Sequence, residues 1–181
     1  SLIGVAECYC RKTRRIMGRA CGHPLETCFV FNDLAESLIN AGIARKIGLD
    51  EALRILGECE GQGLVHNVDN CAGQLRSLCN CCPCSCILLK TYARGQTNTM
   101  TAARFVSAVD PSRCAGLGDC TQACPVQAIL LEGGKARVDA GKCIGCGQCV
   151  SRCRMGAIKL VPRDRYARIY PTNRALWDKI G

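Results

Sequence analysis

CIGCGQCVSRC, at residues 143–153, holds four cysteines in a C-x2-C-x2-C-x3-C spacing. A tight loop containing glycine can wrap three thiolates around one cubane and turn its N–H groups towards the sulfurs. The fourth cysteine then lies on a helical turn that points away, towards a second cluster. The spacing therefore predicts an iron–sulfur site and disfavours the alternative, a structural zinc site.

An earlier stretch, CAGLGDCTQACP at residues 114–125, repeats this run with Leu117 in the place of the second cysteine. Both runs follow a strand-like segment and precede a short apolar one, so residues 107–131 and 136–160 form two similar halves. This part of the chain resembles the bacterial-type 2[4Fe–4S] ferredoxin domain. The resemblance implies a ferredoxin-like (βαβ)2 fold that carries electrons through its clusters.

In this plan the last cysteine of each run serves the cluster of the other run. The complete ligand set is then expected to be Cys124, Cys143, Cys146 and Cys149. The second set lacks a thiolate at Leu117 and is expected to be Cys114, Cys120 and Cys153.

Three outcomes stay open for the set without a fourth thiolate. A [3Fe–4S] cluster needs only three cysteines; a [4Fe–4S] cluster could complete its fourth iron with water, a substrate or Asp119; or the site could be empty. Arg154 stands where the family usually has proline, and we expect it to adjust the local turn or the cluster's electrostatics.

Residues 1–100 contain eleven of the 18 cysteines. Their motifs are C-x-C-R at 8–11, C-x-x-P-x-E-x-C at 21–28 and CNCCPCSC at 79–86, with GLVH at 63–66 between them. In this order the motifs resemble the cysteine-rich region of anaerobes' 4Fe–4S dicluster iron–sulfur proteins. The resemblance implies a second metal-binding, iron–sulfur part, although Ser85 stands where that family often has another cysteine.

Nine of these cysteines can fill two four-thiolate sites with one left over. The first set is expected to be Cys8, Cys10, Cys21 and Cys28, and the second to use four of Cys79, Cys81, Cys82, Cys84 and Cys86. Neighbouring residues of a strand point to opposite sides, so the two sets can also be crossed. Zinc is the alternative occupant.

Four further residues are expected to have structural roles in preference to metal binding. We expect Cys59 and Cys71 to be buried small hydrophobes or spare thiols, and His23 and His66 to be structural side chains more readily than ligands.

The expected fold class is α+β, with a cysteine-rich, mainly helical or irregular domain over 1–100 and the dicluster domain over 101–161. A basic tail over 162–181 ends in a short helix at 174–180. Within the first domain the apolar spacing predicts helices at 33–46, capped by Asn32, and at 51–61, capped by Asp50.

The formal net charge of +9 counts every thiol as neutral. Each four-thiolate [4Fe–4S] site contributes about −2, so four sites nearly cancel the excess and nucleic acid is not expected as a partner. The basic residues at 11–19 form either a solvated face or a docking patch for an acidic redox protein.

No apolar run is long enough for membrane insertion, and residues 1–10 lack the features of a signal peptide. CxxC spacing favours metal over disulfides, so we expect a reducing, low-oxygen cytoplasm.

These patterns predict an electron-transfer protein or subunit with three to four clusters, whose partner is a redox protein or a larger oxidoreductase complex. Two [4Fe–4S] clusters are the minimum, and one [3Fe–4S] is possible at the set without a fourth thiolate. We predict no catalytic residue in this chain. The alternatives are a redox enzyme component whose open iron binds substrate, and an iron–sulfur carrier or redox sensor.

Overall fold

The computed structural model describes residues 1–96, 99–165 and 169–180. The chain divides into two compact units. The first comprises Ser1–Cys86 with Arg168–Gly181, and the second comprises Ile87–Ala167. The functional domain boundaries expected from the sequence, at residues 100 and 161, stay a prediction.

The first unit is built on a five-stranded antiparallel sheet with the strand order β3-β1-β2-β5-β4. Its elements are β1 (Ile3–Glu7), α1 (Tyr9–Ile16), β2 (Glu26–Phe31), α2 (Asn32–Asn40), β3 (Ala44–Ile47), α3 (Leu49–Gly61), β4 (Val65–Val68) and β5 (Ser77–Cys81). The expectation of a mainly helical or irregular domain is therefore not confirmed. The strands have only four to six residues, and two of them run through cysteine motifs that the sequence analysis read as metal loops.

A small apolar core lies between this sheet and α3. Val5, Phe29, Ile55 and Leu64 are buried in it, together with Cys59. Cys59 thus occupies the position of a small hydrophobe, and burial raises the pKa of its thiol to about 11.

The predicted helix at 33–46 is wrong in its second half. Helix α2 ends at Asn40, because Gly42 adopts a φ of +69° and turns the chain into β3. Leu34 and Leu38 still pack on the sheet as the spacing predicted, whereas Ile43 is 61% exposed.

The helix predicted at 51–61 is confirmed as α3. Both predicted caps differ from the structure, since Phe31 and Gly48 occupy the N-cap positions of α2 and α3 and not Asn32 and Asp50.

The second unit contains two successive strand–helix–strand halves. Its elements are α4 (Ile87–Ala93), β6 (Phe105–Val109), α5 (Asp119–Ala123), β7 (Ile129–Glu132), β8 (Lys135–Val138), α6 (Gln148–Arg152) and β9 (Ile158–Pro162). Each of its two antiparallel ladders joins one strand from either half, β6 to β9 and β7 to β8. The mixture of helices and strands agrees with the α+β class.

The hydrogen bonds of the second unit repeat with the same symmetry. The N–H of Asp110 donates to the carbonyl of Ala157 at 2.8 Å, and the N–H of Asp139 donates to the carbonyl of Ala128, also at 2.8 Å. Each half therefore anchors the turn before the cysteine run of the other half. This exchange places the two runs in equivalent surroundings.

Two glycines fix the backbone of the cysteine loops. Gly116 and Gly145 have φ values of +70° and +72°, which only glycine adopts without strain. A Cβ on either residue would overlap a carbonyl oxygen, that of Gly134 in the first case and of Phe105 in the second. Each loop therefore packs against backbone atoms that would have to move if its glycine carried a side chain.

Gly145→Ala is expected to destabilise the cluster-loaded protein by more than about 1 kcal/mol, because conformational strain and steric overlap act together. Gly133→Ala is the matched control, since Gly133 has a φ of +56° with open space around its Cβ position. Guanidinium unfolding followed by the loss of cluster absorbance measures both. Equal losses in the two variants would contradict the steric argument.

The chain ends in α7 (Asn173–Ile180), which agrees with the short helix predicted at 174–180. Before it, Tyr170 forms an isolated parallel bridge with Cys71 in the first unit. Within the described ranges, none of the helices combines the length and apolar character that crossing a bilayer requires.

Candidate iron–sulfur and metal centres

Four thiols of the second unit lie close enough to influence one another electrostatically. Burial raises the pKa of Cys146 to about 11, and the charges of Cys124, Cys149 and Cys143 add to this effect. Cys149 is influenced in the same way by Cys124 and Cys143. The structure thus brings together the four residues that the sequence assigned to the complete set, including the one from the first run.

The other three thiols form a second group. Burial raises the pKa of Cys120, and the charges of Cys153 and Cys114 raise it further. A cavity of about 30 Å³ lies against these three thiols, with Leu117 and Arg154 in its wall. Leu117 is 56% exposed, so the position without a thiolate opens towards solvent.

Backbone N–H groups are aimed at the last cysteine of each run. The N–H of Ala128 donates to Cys124 Sγ at 3.2 Å, and the N–H of Ala157 donates to Cys153 Sγ at 3.3 Å. Such N–H···S bonds favour the thiolate form and help to set the potential of a bound cluster. Paired thiol groups with inward N–H donors fit two iron–sulfur clusters.

Asp119, one candidate ligand for the fourth iron, already has a partner. Its Oδ2 accepts a hydrogen bond from Arg154 Nε at 2.8 Å, and this guanidinium holds the pKa of the Asp119 carboxyl below its usual value. Binding iron through Asp119 would have to compete with Arg154. The two departures from the family pattern, Leu117 and Arg154, thus meet at the same cavity.

Ser107 is a contact that the sequence analysis missed. Its hydroxyl is buried 3.0 Å from Cys149 Sγ and 3.9 Å from Cys143 Sγ. A metal-bound thiolate can only accept, so the hydroxyl donates in the loaded protein. Ala136 holds the equivalent position in the other half and offers only its N–H, to Cys114 Sγ at 3.4 Å. Aligning the two runs by their cysteines would have shown this difference.

Ser107→Ala is expected to shift the reduction potential of the four-thiolate cluster to a more negative value, because a hydrogen bond to sulfur stabilises the more negative reduced state. Ser107→Thr keeps the hydroxyl and is expected to retain the potential. Ala136→Ser is expected to raise the potential of the other cluster instead. Redox titration followed by EPR measures all three, and an unchanged potential in Ser107→Ala would refute the assignment.

Arg163 secures the loop of the complete set. Its Nε donates to the carbonyls of Ala103 at 3.1 Å and Phe105 at 3.0 Å, and its Nη1 donates to Ala140 at 3.0 Å. Its Nη2 donates to the carbonyl of Cys143. By sequence Arg163 belongs to the basic tail, but in the structure it supports the loop that carries Cys143.

In the first unit, three thiols form a compact trio, here called the Cys21 group: Cys21, Cys82 and Cys84. Their sulfur atoms all lie within 4.8 Å of one another, with Cys21 and Cys82 at 4.0 Å. Ser85 stands beside them and its hydroxyl donates to Cys21 Sγ at 3.3 Å.

Five other thiols form a connected series, here called the Cys8 group: Cys8, Cys28, Cys79, Cys81 and Cys86. Interaction with the Cys28 thiol lowers the pKa of Cys79 and that of Cys8. Cys81 continues the series by contacting Cys79 and Cys86.

This grouping differs from the first set expected from the sequence. Cys21 lies in one group, whereas Cys8 and Cys28 lie in the other. The adjacent residues Cys81 and Cys82 also belong to different groups, with Cys81 at the end of β5 and Cys82 directly after it. Cys10 lies in the first turn of α1 and stays a predicted ligand without an assigned group.

Both histidines contact amide side chains. His66 Nδ1 is 2.5 Å from Asn80 Oδ1, and His23 Nδ1 is 3.4 Å from Gln62 Oε1. These contacts agree with structural roles.

Comparison with known proteins identifies the second part of the chain. Residues 107–154 match the family model of the 4Fe-4S dicluster domain. The recognition of a dicluster ferredoxin-type domain is thereby confirmed for this segment, and the match supports [4Fe–4S] as its cofactor type. A search of curated proteins gave no significant match. The cysteine-rich region before residue 107 lies outside the matched segment.

Proposed function

We propose that this chain is an electron-transfer protein, or the electron-transfer subunit of an oxidoreductase, that relays electrons through three to four iron–sulfur clusters. One observation carries the proposal: the thiols of the dicluster domain form two neighbouring groups that exchange Cys124 and Cys153 between the runs. Exchanged ligands hold two clusters close together in one rigid domain, as a relay requires.

The residues around the two groups supply what a relay needs besides ligands. The N–H groups of Ala128 and Ala157 and the hydroxyl of Ser107 donate to sulfur. Burial of Cys143 and Cys149 keeps water from the four-thiolate cluster. Substrate chemistry would then take place in the partner protein.

The basic segment at 11–19 is a smaller docking surface than its sequence indicates. Arg11 is buried, and Lys12 forms an ion pair with Glu7 at 2.6 Å. Arg15 and Arg19 remain exposed and are the residues we propose for contact with an acidic redox partner.

Anaerobic iron and sulfide analysis with EPR of the oxidised and reduced protein tests the relay. We expect more than two clusters per chain, and reduced protein that passes one electron per cluster to cytochrome c. Four or fewer irons per chain, or clusters that dithionite reduces but cytochrome c cannot reoxidise, would refute the proposal.

A second candidate function is substrate binding at an open iron beside Leu117. The cavity at Cys114, Cys120 and Cys153 favours it, because a small molecule could reach the position that has no thiolate. Cyanide is a suitable probe: an open iron should change its EPR spectrum on adding cyanide, whereas an unchanged spectrum argues for the relay alone.

A further inference from the structure

Arg11 is a buried cation that pairs with no carboxylate of the described residues. It lies in α1 with 2% of its surface exposed, and none of the ion pairs among the described residues includes it. Its Nη1 donates to the carbonyl of Asn80 at 2.9 Å and its Nη2 donates to Thr27 Oγ1. Its Nε is buried and has no hydrogen-bond partner in the described parts of the chain. A buried charge of this kind needs a counter-charge nearby.

Thiols are the ionisable groups that surround it. The guanidinium lies within electrostatic reach of the thiols of Cys8, Cys82 and Cys28. A thiol that binds a metal is deprotonated, and a centre in which three or more thiolates bind one cluster or one zinc ion keeps negative charge. Metal-bound cysteines would therefore supply the anions that Arg11 lacks.

These thiols belong to two different groups. Cys82 is in the Cys21 group, and Cys8 and Cys28 are in the Cys8 group. Register explains the separation: antiparallel pairing of β2 with β5 sets Cys28 opposite Cys79, while Cys82 lies just after β5 in the apolar core. Arg11 thus interacts electrostatically with both groups from one position in α1.

We propose that the first unit holds two separate metal–thiolate centres, one on the Cys8 group and one on the Cys21 group, and that Arg11 is the counter-charge they share. The proposal rests on the metal-binding role already proposed for this unit. It adds the division of the ligands and a positioning residue that belongs to neither group. The ligand chemistry is a thiolate-bound metal, either an iron–sulfur cluster or zinc.

Cysteine variants test the division into two centres. Cys21→Ser should remove one centre and Cys28→Ser the other, and the double variant should remove both. Iron, sulfide and zinc are counted in anaerobically purified protein, so iron with sulfide identifies a cluster and zinc alone identifies a single ion. Cys71→Ser is the control for losing a cysteine from the same unit and should keep both centres. If either single variant loses as much metal as the double variant, the unit has one centre and the division is refuted.

Arginine variants test the shared counter-charge. Arg11→Met should lose metal from both centres about tenfold faster in EDTA, since residues that support metal ligands typically contribute that much affinity. Arg11→Lys keeps the charge and should retain most of the metal. Lys12→Met, which removes an exposed charge from the same helix, should retain metal as the unchanged protein does.

Thr27→Val separates charge from hydrogen bonding, because it removes the hydroxyl partner of Arg11 and keeps its charge. This variant should retain both centres. If Arg11→Met and Arg11→Lys lose metal equally fast, the charge of Arg11 is not what retains the metal. If Thr27→Val loses metal as fast as Arg11→Met, the hydrogen bond accounts for the effect. Either result would show that the arginine is purely structural. Should Arg11→Met fail to fold, the lysine and valine variants still decide the question.

The dicluster domain serves as the internal reference in every variant. Its EPR signals and its electron transfer to cytochrome c should persist when metal leaves the first unit. If electron transfer to cytochrome c fails while the first unit holds two centres, only the proposed function is refuted. If electron transfer works and the first unit holds one centre, only the present inference is refuted.

Discussion

Leu117→Cys is expected to turn the three-thiolate site of the dicluster domain into a four-thiolate [4Fe–4S] site. Iron should rise by about one per chain if the native site holds a [3Fe–4S] cluster, and the oxidised-state EPR signal of that cluster should disappear. Iron and sulfide analysis together with EPR before and after reduction measures the change.

The backbone around Leu117 already suits a ligand. The glycines that follow Leu117 and Cys146 have nearly equal φ values, +87° at Gly118 and +81° at Gly147. A cysteine at position 117 would start from the same loop conformation as Cys146. Because the wild-type side chain is largely exposed, its replacement removes little from the core.

Leu117→Ser is the matched control, since serine has the size of cysteine but no thiolate. It should keep the native cluster type. A Leu117→Cys protein whose iron content and EPR spectra match those of Leu117→Ser would show that this position cannot reach the cluster.

Exchanging single cysteines for serine should reveal the crossed ligands of the two clusters. Cys124→Ser is expected to abolish the cluster held by the run at 143–153, although Cys124 itself belongs to the run at 114–125. Cys153→Ser is expected to abolish the other cluster. Each loss should be nearly complete, because a buried cluster thiolate has no substitute of equal softness and charge.

EPR separates the two outcomes, since the two sites have different numbers of thiolates and so different spectra. Cys143→Ser is the reference for loss of the four-thiolate cluster, and Cys114→Ser is the reference for loss of the other. If Cys124→Ser resembles Cys114→Ser, each run serves its own cluster and the crossed arrangement is wrong.

The dicluster domain could be predicted from sequence because its determinants are local. Cysteines, glycines and the turn before each run lie within a dozen residues, and the second half repeats the first. The contacts that connect distant segments were not predictable in this way. Arg163 reaches back to Ala103 and Phe105, and Ser107 meets Cys149 across the fold.

The first unit shows the opposite case. Its motifs marked the nine cysteines as metal ligands, but their grouping depends on how strands pair. No local pattern indicates that Cys28 lies opposite Cys79 or that Cys21 contacts Cys82. The interior position of Arg11 was equally hidden, because an arginine in a run of basic residues resembles a solvated side chain.

The pairing of β2 with β5 also determines when this protein can mature. Cys28 and Cys79 come together only after the ribosome has delivered β5, so the Cys8 group does not exist on a shorter nascent chain. In the run at 143–153, by contrast, three ligands of one cluster emerge almost together. We therefore expect the centres proposed for the first unit to be loaded after its sheet has closed, whereas the dicluster domain can begin loading from a single loop.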